Sequence, residues 1–245
     1  MNGQRNHSYD WHFVDDIGTF MLETPHRTSY LNFPLVNQAG LMSAITPLLH
    51  VDINTSQNTY LMPPVSVEDL HNSRSARNFW VFVEGLGPWS AAGNSAAQKA
   101  RNFVDDGAEQ VKLEAGFLWH KVTRKNRQTG LRAEITHFVP SSEDQVELMK
   151  VTLTNMSGSP LKITPTAAIP LYGRSADNLR DHRHVTSLLH RIHTDTYGVL
   201  LRPSLSFDER GHVPNSVTYG VLGFEAGGAP PVSFFPIVEE FIGEG

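Results

Sequence analysis

The stretch Leu131-Arg-Ala-Glu-Ile-Thr-His-Phe-Val139 decides the fold class of this chain. Its core-type and polar residues alternate with a period of two, which is typical of a β-strand with one face in a core. The turn-forming segment Asn126-Arg-Gln-Thr-Gly130 precedes it. We therefore predict that residues 117–123 pair with this strand as a β-hairpin.

Most of the remaining chain also has the composition of strands. Helical periodicity is weak over 176–192, and Ser95–Arg101 has helical composition, although its neighbouring glycines favour a short turn equally well. Further strands are predicted at residues 11–14, 19–22, 30–36, 42–51, 78–84, 146–154, 161–169, 197–202, 216–224 and 232–238. We predict an all-β protein, a large antiparallel sandwich in which residues 1–245 form a single domain.

The composition is that of an ordinary globular protein, with 245 residues, 40% hydrophobic content and a formal net charge of −5. No block of Lys and Arg stands out, so we expect neither nucleic acid nor an anionic membrane surface as a partner. Cysteine is absent, which excludes disulfides and thiolate metal sites. No apolar run reaches transmembrane length, and Met1–Asp10 lacks the pattern of a secretion signal. We therefore expect a cytoplasmic protein.

The densest set of polar groups in the chain follows Gly173. Arginine, asparagine, aspartate and histidine side chains together can clamp hydroxyl pairs, carboxylates or phosphates. The candidate substrate-binding residues of this segment are Arg174, Asp177, Asn178, Arg180, His182 and His184. A solvated loop laced with salt bridges explains the same composition equally well.

His182 and His184 also raise the question of a metal site, because side chains at i and i+2 share one face of a strand. His190 and His193 lie nearby in the sequence. However, His-x-His alone is a weak signal, and no further ligand follows at a typical spacing. We predict hydrogen-bonding or structural roles for these histidines and no metal.

A second polar segment precedes the predicted strand at 78–84. The acids of Glu68-Asp69 can pair with Arg74 and Arg77 as a purely structural network. Alternatively, an indole such as that of Trp80 or Trp89 stacks on a sugar ring while nearby polar groups bind its hydroxyls. Trp80 is therefore also a candidate substrate-binding residue.

No part of the sequence singles out a catalytic group. The glycines of Gly85-Leu-Gly-Pro88 do not match a nucleotide-binding loop, and no Gly-x-Ser-x-Gly elbow is present. Acidic residues are plentiful, but their spacing selects no pair for acid–base work. We predict no catalytic residue in this chain.

Three stretches resemble the N-terminal region of inverting glycoside phosphorylases of glycoside hydrolase family 94. They are Tyr30-Leu-Asn-Phe-Pro-Leu-Val-Asn-Gln-Ala-Gly-Leu-Met-Ser-Ala-Ile-Thr-Pro-Leu-Leu-His50, Pro64-Val-Ser-Val-Glu-Asp-Leu-His-Asn-Ser-Arg-Ser-Ala-Arg-Asn-Phe-Trp80 and Ile169-Pro-Leu-Tyr-Gly-Arg-Ser-Ala-Asp-Asn-Leu-Arg-Asp-His-Arg-His184. The resemblance covers most of the chain. It implies a super-β-sandwich of the galactose-mutarotase-like type that precedes a helical linker and an (α/α)-barrel catalytic domain.

In the resembled family the general-acid aspartate and most of the phosphate site belong to the barrel, so the resemblance assigns no catalytic residue here. It implies a non-catalytic carbohydrate-binding or structural domain, in an enzyme that cleaves β-glucosidic bonds with inorganic phosphate and needs no other cofactor. The implied partners are a β-linked gluco-oligosaccharide, the barrel domain of the same chain and a second copy in a homodimer. Because residues 234–245 end just after an apolar cluster, we expect an N-terminal part of a longer enzyme.

Two other classes of function stay open. One is a stand-alone aldose epimerase that uses a histidine and a carboxylate on a concave sheet, and the other is a plain carbohydrate-binding module. The length of the natural open reading frame separates the three, because a phosphorylase gene continues for several hundred codons.

Overall fold

The structure is a computed structural model that describes residues 11–25, 31–64, 76–105, 107–176, 188–208, 211–237 and 240–241. Backbone contacts divide the chain into two compact units. The first unit takes residues 1–39, 44–50 and 78–168, and the second takes residues 40–43, 51–77 and 169–245. A single sandwich over residues 1–245 stays a prediction.

The described residues form seventeen strands and one helix, and the prediction of an all-β protein is confirmed. In chain order the elements are β1 (Trp11–Phe13), β2 (Phe20–Leu22), β3 (Phe33–Val36), β4 (Met42–Ile45), β5 (Val51–Asn54), β6 (Asn78–Val83), β7 (Gly87–Ser90), α1 (Ala96–Val104), β8 (Glu109–Gly116), β9 (Trp119–Asn126), β10 (Leu131–Phe138), β11 (Leu148–Asn155), β12 (Ile163–Ala168), β13 (His190–Thr194), β14 (Gly198–Pro203), β15 (Leu205–Asp208), β16 (Gly211–Pro214) and β17 (Tyr219–Leu222).

The first unit is built around a six-stranded antiparallel sheet with the strand order β1-β2-β8-β9-β10-β11. The hairpin predicted from the alternating stretch is confirmed, with Leu131 opposite Asn126 and Phe138 opposite Trp119. Every second residue of β10, beginning at Leu131, is buried, and the residues between them are partly exposed. The alternation in the sequence therefore corresponds to the two faces of this sheet.

A smaller sheet of the first unit has the order β12-β6-β7, again antiparallel. Helix α1 follows β7, and its buried Gln98 is tied to that strand. The Ser90 N–H donates to Oε1 of Gln98 at 2.7 Å, while Nε2 of Gln98 donates to the Ser90 carbonyl at 2.9 Å. Within the described residues, no helix is both long and apolar enough to cross a membrane.

The second unit contains the three-stranded antiparallel sheet β13-β14-β17 and the hairpin β15-β16. The inner face of this sheet is buried at Leu201 on β14 and Tyr219 on β17, which stand directly opposite each other. The strand predicted at 232–238 is wrong over its described residues 232–237, which form no strand. Pro231 and Pro236 explain this, because proline cannot donate a hydrogen bond to a β-ladder.

Candidate functional site

Two of the seven predicted binding residues lie in the described parts of the chain, Trp80 on β6 in the first unit and Arg174 in the second. The other five lie outside the described residues, and their roles stay predictions; they are Asp177, Asn178, Arg180, His182 and His184.

Arg174 is positioned by a short antiparallel pairing of its own backbone with residues 60–61. The Tyr60 N–H donates to the Arg174 carbonyl at 2.8 Å, and the Gly173 N–H donates to the Tyr60 carbonyl at 2.9 Å. The Tyr172 N–H continues the pairing by donating to the Leu61 carbonyl at 2.7 Å. These bonds fix the direction in which the Arg174 side chain leaves the backbone.

Gly173 is required for this pairing by both its conformation and its surroundings. Its φ of 63° lies in the left-handed region, where a side chain is disfavoured. A Cβ atom at this position would lie 2.6 Å from Cδ2 of Leu201 and 3.2 Å from Cδ2 of Tyr219. The backbone therefore approaches the inner face of β14 and β17 more closely than any other residue allows.

The half-buried guanidinium of Arg174 lies between an aromatic ring and an imidazole. Its Cζ is 5.0 Å from the centre of the Tyr172 ring, and its Nε donates to Nε2 of His190 at 3.2 Å. Burial lowers the pKa of Arg174 below its ordinary value, and the nearby Tyr172 opposes this change. Burial, followed by the Arg174 charge, lowers the pKa of His190 to about 4, so the imidazole is neutral at neutral pH.

In this arrangement Arg174 is suited to bind a ligand group with two neighbouring hydrogen-bond acceptors, such as a carboxylate or a pair of hydroxyls. A neutral imidazole accepts through one nitrogen and donates through the other, so the bond from Arg174 places the proton of His190 on Nδ1. The cation–π contact and the imidazole together restrict the rotamers of a long side chain. A guanidinium held in this way loses less conformational entropy when it clamps a hydroxyl pair or a carboxylate.

Trp80 lies on a partly exposed face of the β12-β6-β7 sheet. Phe82, two residues further on, shares this face and is 50% exposed. Thr166 stands directly opposite Trp80, and Thr164 stands directly opposite Phe82. We call these four residues the aromatic face. It combines two rings with two hydroxyl-bearing side chains, which is the chemistry that a sugar ring needs for stacking and hydrogen bonding.

A buried polar network around Glu109 was not anticipated from the sequence. Its carboxylate accepts five hydrogen bonds: at Oε1 from Trp89 Nε1 (2.7 Å), Asn126 Nδ2 (2.9 Å) and Gln98 Nε2 (3.0 Å), and at Oε2 from Arg124 Nη1 (2.9 Å) and Asn102 Nδ2 (3.2 Å). Burial by itself would raise the pKa of Glu109, but the Arg124 charge and the hydrogen bonds hold it below its ordinary value. An ionised carboxylate that is bonded on both oxygens anchors structure and is unsuited to donate a proton.

A signal for this network is present in the sequence. Glu109 has the same phase as Val111 and Leu113, so the alternation of β8 directs its carboxylate into the core. A charged residue at such a position requires a buried partner. Arg124 occupies the corresponding inward phase of β9.

Among the described residues, no three His, Asp or Glu side chains gather closely enough to hold a metal ion. His190 and His193 are three residues apart on β13 and therefore face opposite sides of the sheet. His182 and His184 lie outside the described residues. The absence of a metal site at those two positions stays a prediction.

The antiparallel sheets place the chain in the class of all-β proteins, and a comparison of sequences gives its family. Residues 89–229 match the family model described as "Glycosyl hydrolase 94, supersandwich domain". The match covers more than half of the chain, and the chain belongs to this family. The matched range includes the Glu109 network, Arg174 and His190, whereas Trp80 precedes it. A comparison with curated proteins gave no match.

Proposed function

We propose that this chain is the non-catalytic, carbohydrate-binding N-terminal domain of a β-glucan or β-glucoside phosphorylase. The match of residues 89–229 to the supersandwich domain of glycosyl hydrolase family 94 carries this proposal. The whole enzyme would use inorganic phosphate to cleave a β-glucosidic bond, releasing glucose 1-phosphate and a shortened acceptor. In this account the catalytic groups belong to a helical barrel, and the sandwich contributes to the sugar cleft.

Two features of the described residues support a role in sugar binding. The aromatic face offers an indole and a phenyl ring beside two threonine hydroxyls. Arg174 offers a guanidinium that its neighbours hold in one orientation. Planar polar groups that are held rigid bind sugar hydroxyls at a low cost in conformational entropy.

The particular enzyme we propose is a cytoplasmic 1,2-β-oligoglucan phosphorylase. Its partners would be a β-linked gluco-oligosaccharide, the helical-barrel domain of the same chain and a second copy in a homodimer. The enzyme would need no cofactor besides phosphate as its co-substrate.

The proposal predicts that the purified 245-residue chain releases no glucose 1-phosphate from β-glucans and phosphate. The reason is that the groups for phosphorolysis are supplied by the barrel. An enzyme-coupled assay of glucose 1-phosphate measures this directly, and a longer form that carries the barrel serves as the positive control. Sustained product formation by the 245-residue chain would contradict a non-catalytic role.

A polarimetric assay on freshly dissolved glucose or galactose separates the proposal from the aldose epimerase alternative. The phosphorylase domain is expected to leave the rate of anomer interconversion at the uncatalysed value. An epimerase would accelerate it, and that result would replace the proposed function.

A further inference from the structure

The outer face of β13 and β14 carries a pair of arginines that belongs to none of the sites described so far. Arg191 stands directly opposite Arg202 in the antiparallel register, and both side chains are exposed. His193, two residues from Arg191, lies on the same face. Like charges placed directly opposite each other destabilise a strand pair, so this pairing has a cost in the absence of an anion.

No neutralising partner offsets this cost within the described residues. None of their carboxylates lies within ion-pair distance of Arg191, Arg202 or His193. Nη1 of Arg191 donates to the carbonyls of Leu188 and His190, both at 3.2 Å. These two bonds orient the guanidinium but leave its charge uncompensated.

A cleft of about 450 Å³ opens beside the two arginines. Its lining residues are Arg191, His193, Arg202, Pro203, Ser204 and Asn215. Its wall is held by hydrogen bonds, because Nδ2 of Asn215 donates to the carbonyls of Pro203 (2.9 Å) and Val217 (2.7 Å). Oγ of Ser204 donates to the Leu189 carbonyl at 2.9 Å. The cationic side chains therefore project from a fixed backbone frame.

We propose that this cleft binds a phosphate-type oxyanion, either inorganic phosphate or the phosphate group of a sugar phosphate. Two guanidinium groups supply paired N–H donors that match tetrahedral oxyanions, and the imidazole of His193 supplies a third group. A doubly charged anion neutralises both arginines at once. The site follows from the cations of the cleft and does not depend on the proposed function.

Calorimetric titration of the 245-residue chain with inorganic phosphate, at low ionic strength, tests the proposal. Saturable binding is expected, and Arg191→Gln and Arg202→Gln are each expected to raise the Kd by about tenfold or more, since each removes a charge-assisted pair of hydrogen bonds. Arg127→Gln is the matched control, because Arg127 is also exposed but lies in the turn between β9 and β10. It is expected to leave the Kd unchanged.

Absence of saturable binding, or an equal loss of affinity in the Arg127 variant, would overturn the proposal. A parallel titration with glucose 1-phosphate identifies the source of the anion. Tighter binding than inorganic phosphate supports a sugar phosphate, and equal or weaker binding supports the inorganic ion.

Thermal melting gives a second readout that a purely structural arginine pair would not produce. In phosphate-free buffer Arg202→Gln is expected to melt at or above the wild-type temperature, because it removes the repulsion between Arg191 and Arg202. Arg191→Gln is compared only through its response to phosphate, since it also removes the bonds to the Leu188 and His190 carbonyls. Added phosphate is expected to raise the melting temperature of the wild type more than that of either variant. An Arg202→Gln variant that melts below the wild type without phosphate would show a structural role for the arginine pair and contradict the anion site.

Discussion

Glu109 and Arg124 form a buried ion pair whose side chains are only 2% and 3% exposed, with a nitrogen–oxygen distance of 2.9 Å. The arginine also donates to the carbonyls of Ala91 and Ala92, so it joins β9 to the turn after β7. Breaking such a pair leaves an uncompensated charge in the core. The pair therefore fixes the arrangement of strands and turn around it.

We predict that Glu109→Gln lowers the free energy of unfolding by about 3–5 kcal/mol, because Arg124 then stays buried without its counter-charge. Urea denaturation measures the loss. Glu84→Gln is the matched control, since Glu84 pairs with Lys162 at 2.8 Å on the surface, with side chains 61% and 83% exposed. It is expected to cost less than about 1 kcal/mol. Equal losses in the two variants would contradict the structural role of the buried pair.

His120 and His137 face each other as directly paired residues of β9 and β10, and both are fully buried. Their ring centres are 6.0 Å apart, and Phe33 lies 5.1 Å from the His120 ring. Burial lowers the pKa of His120 from 6.5 to about 3. The folded chain thus keeps His120 neutral over a range in which the unfolded chain protonates it.

The sign of the resulting pH dependence follows from this lowered pKa. The stabilisation from a neutral His120 is complete above pH 6.5 and is lost progressively as the pH falls towards 3. We predict that His120→Leu flattens the decline of unfolding free energy between these pH values, by up to about 1.4 kcal/mol per pH unit. Urea denaturation at a series of pH values measures the slope.

Val122→Ala is the control for this experiment. Val122 is buried on the same face of β9, and its truncation removes packing without removing a titrating group. It is expected to lower stability at every pH and keep the wild-type slope. If His120→Leu also kept that slope, the neutral buried state of His120 would be wrong.

At the scale of elements, the segment before Arg174 depends on one glycine that brings it against the inner face of β14 and β17. We predict that Gly173→Ala costs about 2–4 kcal/mol, which combines left-handed strain with the overlap with Leu201. Gly228→Ala is the control, because Gly228 also has a positive φ, of 86°, but its added Cβ would meet no atom within 4 Å. Thermal or urea unfolding of both variants separates overlap from strain. Equal losses of unfolding free energy in the two variants would show that the space between Gly173 and Leu201 can accommodate a Cβ atom.

Period two predicted the strands β9, β10 and β11, because it directly reports the two faces of a half-buried sheet, but the equally long β8 (Glu109–Gly116) was not predicted. The strands β7 (Gly87–Ser90) and β15 (Leu205–Asp208) were also not predicted, because four residues are too few to show a period. The strand predicted over 42–51 is interrupted at residues 46–50, where Pro47 opens a turn and Leu49 takes a φ of 63°. Local turn chemistry outweighed strand composition there.

At the scale of the whole molecule, the family and the all-β class could be predicted from the sequence, while the grouping of side chains could not. Arg174 was predicted as a binding residue because polar residues are dense around it in the sequence. Its hydrogen bond to His190 joins residues that are sixteen positions apart, and nothing in the sequence indicated it. The proposed anion site on β13 and β14 could be recognised only from the strand register, which places Arg191 opposite Arg202. Contacts of this kind depend on register, and the composition of a segment does not reveal it.

The proposed sugar-binding role gives a direct expectation for the chain's four tryptophans. A β-linked gluco-oligosaccharide that stacks on the aromatic face should change the surroundings of the Trp80 indole. Trp89 provides an internal reference, since it is buried and its Nε1–H is bonded to Glu109 at 2.7 Å. The indole N–H signals of the two residues therefore separate binding at this face from a general effect on the fold.

The measurement is a proton–nitrogen NMR titration of the 245-residue chain with a β-1,2-linked gluco-oligosaccharide, with Trp80→Phe used to assign the Trp80 indole signal. An α-linked oligosaccharide of equal length is the control ligand. The account predicts that the Trp80 signal shifts saturably with the β-linked ligand alone, that the Trp89 signal stays in place, and that Trp80→Ala weakens binding about tenfold or more. A Trp80 signal that stays unchanged at millimolar β-linked ligand, or that shifts equally with the α-linked control, would contradict it.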